Sequence, residues 1–273
     1  MSTPADAARE RARNTYNAAA DTYDDPANSF WARFGRRTVE RLHLRPGDRV
    51  LDVCSGSGAS VLPAAETVGP SGSVVGIDLA DNLLAHARAK AHARGLANVE
   101  FRTGDLLDLK LPHEAFDAVV CVFGIFFVPD MPLGLRELWT RVRRGGQLAI
   151  TTWGPRWFEP ATSAFWRAVQ AERNDLYKGF NPWDRICEPP ALAALFAEAG
   201  IPAPHIEAEA NRHPIASPEA WWAAVLGSGY RGTFEQLDAA ARQRVRAANF
   251  EYIRASGTTS VEANVMYAVA RKE

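Results

Sequence analysis

The chain has 273 residues, 47% of them hydrophobic, and its 31 lysines and arginines nearly balance 32 aspartates and glutamates. A chain of this length buries roughly three quarters of its unfolded surface, which predicts one elaborated α/β domain. The balanced charge argues against a protein that binds nucleic acid or anionic membranes through a broad electrostatic field. Three distant cysteines predict neither a disulfide framework nor a zinc site. The polar N-terminus and the lack of a long apolar stretch predict a cytoplasmic protein without signal peptide or membrane span.

Short apolar runs alternate with helix-like segments in the first half of the chain. Strands are predicted at residues 49–54, 73–78, 99–103, 116–122 and 147–152. Helices are predicted between them at residues 59–68, 81–94 and 133–143, the last ended by the Gly145–Gly146 pair. Repeated strand–helix–strand units predict a doubly wound, parallel sheet with helices on both faces.

The segments on either side of this core have different patterns. We predict an N-terminal helical lid, a cofactor-binding core, a proline- and tryptophan-rich cap insertion, and a C-terminal part of the core with further helices: residues 1–44, 45–153, 154–202 and 203–273. In the last part, isoleucine, proline and alanine alternate towards His213, and this pattern predicts a strand. Ser217, followed by proline, predicts a helix start, and residues 264–270 predict the final strand.

The segment with the most chemical information is 50–58, VLDVCSGSG, a buried strand with an acid near its end and then a turn of small residues. Small residues allow a ligand to approach the backbone closely. The following helix offers free N–H groups to an anionic group such as a carboxylate. Asp78 closes the next predicted strand, where an acid can accept both hydrogen bonds from a ribose diol.

These features fit S-adenosylmethionine better than a nicotinamide dinucleotide. The dinucleotide fingerprint requires a third glycine where this chain has Val61, and Asp52 would place negative charge near a pyrophosphate. S-adenosylmethionine instead offers an ammonium, a carboxylate, a sulfonium and a ribose, and each finds a partner here. Three alternatives stay open: a nicotinamide oxidoreductase, a protein that binds S-adenosylmethionine but catalyses another reaction such as a cyclisation, and a non-catalytic binding protein.

Residues 50–58 resemble the first motif of the class I S-adenosylmethionine-dependent methyltransferases, and residues 40–155 are similar in layout. Residues 123–130, FGIFFVPD, resemble most the ubiquinone/menaquinone-biosynthesis (type 11) group. The resemblance implies a Rossmann-like methyltransferase fold: a seven-stranded, mostly parallel sheet with a reversed last strand, N-terminal helices and a helical cap. It also implies that the product is S-adenosylhomocysteine.

The resemblance also implies roles for residues near the cofactor. The acid at Asp78 is expected to bind the ribose hydroxyls and Asp105 to face the adenine amine, while Tyr16 and Tyr23 match front-helix tyrosines that close over the cofactor. Each of these roles has a structural alternative. Asp105 would then only cap a turn, and the two tyrosines would only form the core face of a helix. The full expected cofactor set is Asp52, Ser55, Gly56, Gly58, Asp78, Leu79, Asp105, Leu106, Phe123, Tyr16 and Tyr23.

Two departures from the family pattern affect the expected substrate. Cys54 and Ser55 stand where the family has its first glycine and a frequent cysteine, and both replacements are small. Phe126 and Phe127 stand where the quinone C-methyltransferases have an arginine and an asparagine. Because polar groups expected near a quinol ring are missing, we do not carry over the quinone substrate.

The acceptor is expected to be a small, apolar or aromatic metabolite, because tryptophans are frequent after the fifth strand. Each tryptophan singly is more often a core residue than a pocket residue. The expected pocket residues are Phe126, Trp153, Trp157, Trp183 and His213. His213 is the candidate general base, and a histidine that is exposed or satisfied by hydrogen bonds is the structural alternative. No catalytic residue is assigned, since in-line displacement from a sulfonium needs orientation above all, and no metal site, nucleic-acid partner or membrane partner is expected.

Overall fold

Nine strands occur in the computed structural model, which describes residues 4–273, so residues 1–3 of the predicted lid lie outside it. The strands are β1 (Arg49–Val53), β2 (Ser73–Asp78), β3 (Val99–Thr103), β4 (Phe116–Val122), β5 (Val142–Trp153), β6 (His205–Glu209), β7 (Arg212–Pro214), β8 (Ser260–Glu262) and β9 (Val265–Arg271). Seven of them form one sheet in the order β3-β2-β1-β4-β5-β9-β6, and β7 pairs with β8 in a separate two-stranded sheet.

The sheet is parallel from β3 to β5, and β9 runs antiparallel to both of its neighbours. The central strands β1 and β4 are nearly continuous apolar runs, because helices cover both faces of a parallel sheet. The predicted doubly wound fold with a reversed last strand is therefore confirmed.

Ten helices are described within residues 4–273. They are α1 (Pro4–Tyr23), α2 (Phe30–Glu40), α3 (Val61–Val68), α4 (Asp81–Ala93), α5 (Met131–Arg141), α6 (Ala161–Glu172), α7 (Pro189–Glu198), α8 (Pro218–Leu226), α9 (Arg231–Phe234) and α10 (Ala239–Ser256). Side chains cap several of them: the hydroxyl of Ser217 accepts from the backbone N–H of Ala220 at 3.2 Å, at the predicted start of α8. No helix in this range is long and apolar enough to cross a bilayer.

Two sequence predictions of element bounds were wrong. The strand expected at residues 147–152 begins at Val142, directly after α5 ends, and its ladder with β4 shifts register between Phe116 and Ala118. Gly145, with φ +77°, belongs to this irregular part of β5 and does not end the helix. The single strand expected towards His213 is divided between β6, in the main sheet, and β7, in the small sheet.

The helices outside the core cover the carboxyl ends of the strands. The N-terminal helix α1 packs against α4, α8 and α9, and α10 packs against α6 and α8. This helical cover over the strand ends is thus built from both ends of the chain. The division into lid, core, cap and C-terminal part stays a prediction.

Candidate active site

A cavity of about 260 Å³, here named the cofactor cavity, lies at the carboxyl ends of β1 to β4. In open α/β sheets this is the edge at which ligands bind. Of the residues expected to contact the cofactor, eight line this cavity: Tyr16, Tyr23, Gly56, Asp78, Leu79, Asp105, Leu106 and Phe123.

Asp78 is held at the end of β2 by backbone donors. Its Oδ2 accepts from the N–H of Gly56 and its Oδ1 from the N–H of Ala80, both at 2.8 Å. Burial raises the pKa of the Asp78 carboxyl above its usual range, and these N–H donors oppose the rise. Each oxygen keeps a further lone pair, so the carboxylate is prepared to accept two hydroxyl donors such as those of a ribose diol.

The turn after β1 provides the close approach that the sequence predicted. Gly56 has φ +52°, and a Cβ atom there would lie 3.3 Å from the Tyr23 hydroxyl oxygen. Cys54, which stands at the family's glycine position, also adopts a left-handed conformation, with φ +62°. A larger side chain at Gly56 would therefore fill the space between the turn and α1, where a ligand must enter.

Asp52, Ser55 and Gly58 do not line the cofactor cavity and lie behind it. Asp52 is 1% exposed, and its Oδ2 accepts a hydrogen bond from the Ser60 hydroxyl. Its Oδ1 has no hydrogen-bond partner among residues 4–273, and burial raises the pKa of the carboxyl to about 7. From behind the cavity wall, the charge of an ionised Asp52 favours an ammonium group in the cavity, such as that of S-adenosylmethionine.

The pKa of Asp52 predicts how cofactor binding depends on pH. Because the folded pKa is near 7, the carboxyl gains a proton below pH 7 and loses the charge that attracts an ammonium. If only the ionised form binds, the affinity for S-adenosylmethionine rises about fivefold from pH 6 to pH 7. Calorimetric titrations at both pH values test this, and the Asp52→Asn variant should show no such rise. An equal rise in that variant would assign the titration to another group.

The opposite end of the cavity is formed by Asp105 and α1. The Oδ2 of Asp105 accepts from the Arg9 guanidinium at 3.1 Å, and its Oδ1 accepts from the N–H of Leu107 at 3.0 Å. The second bond is the turn-capping interaction that the sequence offered as the structural alternative. Asp105 makes this bond and also lines the cofactor cavity. Sequence reasoning missed Arg9, because its partner is 96 residues away and no local pattern connects them.

Tyr16 and Tyr23 both lie on the face of α1 that covers the cavity. Their ring centroids are 6.2 Å apart, and Tyr23 stacks on Trp31 at 5.0 Å with an interplanar angle of 4°. Burial raises the pKa of both phenols well above the usual value, so both stay neutral. Both tyrosines therefore pack in the core and also line the cofactor cavity, which are the two roles that the sequence left open.

A second cavity of about 640 Å³, here named the tryptophan chamber, adjoins the first. Tyr16, Phe127 and Ala12 line both cavities. Three predicted pocket residues, Phe126, Trp157 and Trp183, line the chamber. The Trp183 ring contacts the other two, with its centroid 4.6 Å from that of Trp157 and 5.3 Å from that of Phe126. Lining residues that the prediction missed include Arg11, Trp166, Lys178, Tyr230 and Glu235.

Trp153 and His213, also predicted for the pocket, line neither cavity. Trp153 is 2% exposed and stacks on Phe123 with a centroid distance of 4.0 Å. His213 is 2% exposed, its Nε2 donates to the carbonyl oxygen of Ala27 at 2.6 Å, and its ring contacts Phe30 edge-on. Burial also lowers the pKa of His213. Both residues belong to the core, and the general-base interpretation of His213 is not retained.

Comparisons with known proteins find methyltransferases. Residues 50–146 match the family model described as a methyltransferase domain. The chain is 32% identical to nocamycin O-methyltransferase of Saccharothrix syringae, over 72% of this chain and 69% of that protein. It is also 32% identical to the demethylmenaquinone methyltransferase of Listeria monocytogenes, over 62% of this chain and 76% of that protein.

Solved structures show the same fold at lower identity. A SAM-dependent methyltransferase from Aquifex aeolicus has a TM-score of 0.53 and 21% identity, covering 71% of this chain and 90% of that one. The [4+2]-cyclase SpnF has a TM-score of 0.59 and 19% identity, covering 97% of this chain and 96% of that one.

The fold and the cofactor cavity define a class of proteins that bind a nucleoside-containing cofactor at the carboxyl edge of a methyltransferase-type sheet. The chain belongs to the S-adenosylmethionine-dependent methyltransferase family. It is an enzyme of that family with S-adenosylmethionine as cofactor, and the nicotinamide alternative is not retained.

Proposed function

We propose that the protein methylates a small, apolar or aromatic molecule bound in the tryptophan chamber. The observation that carries this proposal is that Tyr16, Phe127 and Ala12 border both the cofactor cavity and the chamber. An acceptor in the chamber therefore lies directly beside a cofactor in the other cavity. The names of the relatives support a small-molecule acceptor.

Bound S-adenosylmethionine would supply a methyl group on a sulfonium, the electrophile for an acceptor lone pair, with S-adenosylhomocysteine as the leaving group. In this proposal the chain fixes the geometry: Asp78 accepts from the ribose, and Asp105 lies at the adenine end. Tyr16 and Phe127 exclude water between the two cavities. Orientation of reactants in this way lowers a barrier by roughly 7–11 kcal/mol.

The chamber offers no evident general base. Among the described residues that line it, the ionisable ones are Arg11, Tyr16, Lys178, Tyr230 and Glu235. The Tyr230 hydroxyl is bonded to Thr162 at 2.6 Å and burial raises its pKa, while Glu235 pairs with Arg231 at 2.6 Å. We therefore assign no base, and an acceptor atom that is already ionised or neutral and nucleophilic needs none.

Replacing Trp183 by alanine tests the chamber as the acceptor site. We expect methyl transfer at low acceptor concentration to fall about tenfold or more, because the variant loses aromatic contact area, while S-adenosylmethionine affinity is unchanged. Transfer is measured as S-adenosylhomocysteine formed from a panel of phenols, amines and carboxylic acids. Trp222→Ala is the matched control, since Trp222 packs on Phe234 and Phe250 outside the chamber. Equal effects of the two variants would contradict the assignment.

The cyclase alternative is supported by the fold shared with SpnF over nearly the whole of both chains. The same assay separates the two functions. A methyltransferase accumulates S-adenosylhomocysteine in proportion to methylated product. An enzyme of the alternative kind would convert its substrate without consuming S-adenosylmethionine, and that result would overturn the proposed function.

A further inference from the structure

Two cations lie at the mouth of the tryptophan chamber without an acid to neutralise them. Arg11, on α1, and Lys178 line the chamber, and the Lys178 Nζ lies 6.0 Å from the centroid of the Trp166 ring. Within residues 4–273, neither has a carboxylate at ion-pair distance. Glu235, the acid that lines the chamber, already contacts Arg231 at 2.6 Å and Arg242 at 3.2 Å.

Three tryptophans of the chamber carry indole N–H groups without a hydrogen-bond partner among the described residues. Trp157, Trp166 and Trp183 line it, and each is less than a tenth exposed. The indole N–H of each is buried and makes no hydrogen bond with any residue that the structure describes. Protein atoms cover these N–H groups, so the rings line the chamber as an apolar, aromatic surface that suits a flat, apolar ligand body.

We propose that the tryptophan chamber selects acceptor molecules that carry a carboxylate, held at the mouth by Lys178 and Arg11 while the aromatic body lies among the tryptophans. The inference rests on the proposed function, because it takes the chamber as the acceptor site. It names the chemical class of the molecule, an aromatic acid.

The charges at the mouth favour this class over a neutral aromatic molecule. The pKa of Lys178 is lowered by desolvation and by the like charge of Arg11, so the ammonium lacks a compensating anion. A carboxylate between the two side chains would offset both effects through its opposite charge. The interaction is solvent-accessible, so each cation contributes modestly and both together set the preference.

The test uses the full-length protein saturated with S-adenosylhomocysteine and two probes with the same ring system, 2-naphthoate and 2-naphthamide. Calorimetric titration is expected to show that the carboxylate binds about tenfold more tightly than the amide. The double variant Arg11→Gln/Lys178→Gln is expected to remove that preference and to leave the affinity for the amide unchanged. Its affinity for S-adenosylhomocysteine, measured separately, should equal that of the unaltered protein.

The matched control is Arg246→Gln/Arg254→Gln, which makes the same change in net charge on α10, where both guanidinium groups lie over Phe250. It should keep the preference for the carboxylate. Equal binding of the two probes, no binding of either, or loss of preference in the control would overturn the inference. A different measurement tests the proposed function. It would be contradicted if no S-adenosylhomocysteine formed with any acceptor in the panel.

Discussion

An Asp78→Ala variant is expected to bind S-adenosylmethionine at least about 100-fold more weakly than the unaltered protein. Two ribose hydroxyls would each lose a hydrogen bond to a charged acceptor, and such bonds contribute roughly 1.5–3 kcal/mol each. The substitution also leaves the N–H groups of Gly56 and Ala80 without the acceptor that orders the turn. Calorimetric titration with S-adenosylmethionine measures the loss directly.

Asp81→Ala provides the matched control for this experiment. Asp81 lies three residues further along, in the first turn of α4, bonds to the Thr103 hydroxyl and does not line the cofactor cavity. Its removal changes the net charge by the same amount, and we expect an affinity within about threefold of the unaltered protein, as for surface substitutions. If both variants bind equally well, Asp78 is not a cofactor ligand and the position of the site is wrong.

The largest expected loss of stability is that of Trp153→Ala, about 3–5 kcal/mol of unfolding free energy. Trp153 ends β5 in the core, where its ring stacks on Phe123 and lies 6.1 Å from Phe30 and 5.9 Å from Phe34 by ring centroids. Alanine would leave a cavity that the strand and α2 cannot close. Denaturant-induced unfolding followed by circular dichroism measures the change.

Trp183→Ala is the matched control for stability. Trp183 lies in a short 3₁₀ helix, Pro182–Arg185, and one side of its ring faces the chamber, so fewer contacts are lost. A smaller loss than for Trp153→Ala is expected. If Trp153→Ala instead changes the unfolding free energy by less than about 1 kcal/mol, a typical surface effect, Trp153 is not a core residue.

The cofactor cavity could be predicted well from sequence because its main groups follow strands. A parallel sheet brings the carboxyl ends of its strands to one edge, so Asp78, Asp105 and Phe123 meet once the strands are recognised. Whether a residue near the turn lines the cavity or lies behind it depends on small differences in backbone direction. For this reason Asp52 and Ser55 were grouped with Gly56, although they lie behind the cavity.

The tryptophan chamber could be predicted only in outline. Abundant tryptophans after β5 indicated an apolar pocket, but Trp153 and Trp157 are four residues apart and lie on different sides of the division between core and chamber. Arg11, on α1, and Lys178, far along the chain, line the same chamber. No periodicity or spacing encodes that arrangement, so the sequence did not predict the charged mouth.

The most direct test of the central claim is a crystal structure of the protein with S-adenosylhomocysteine bound. The expected result places the ribose hydroxyls on the Asp78 carboxylate, the adenine beside Asp105, and the sulfur next to Tyr16 and Phe127, facing the tryptophan chamber. A ligand bound elsewhere, or one whose sulfur faces away from the chamber, would contradict methyl transfer between these two cavities.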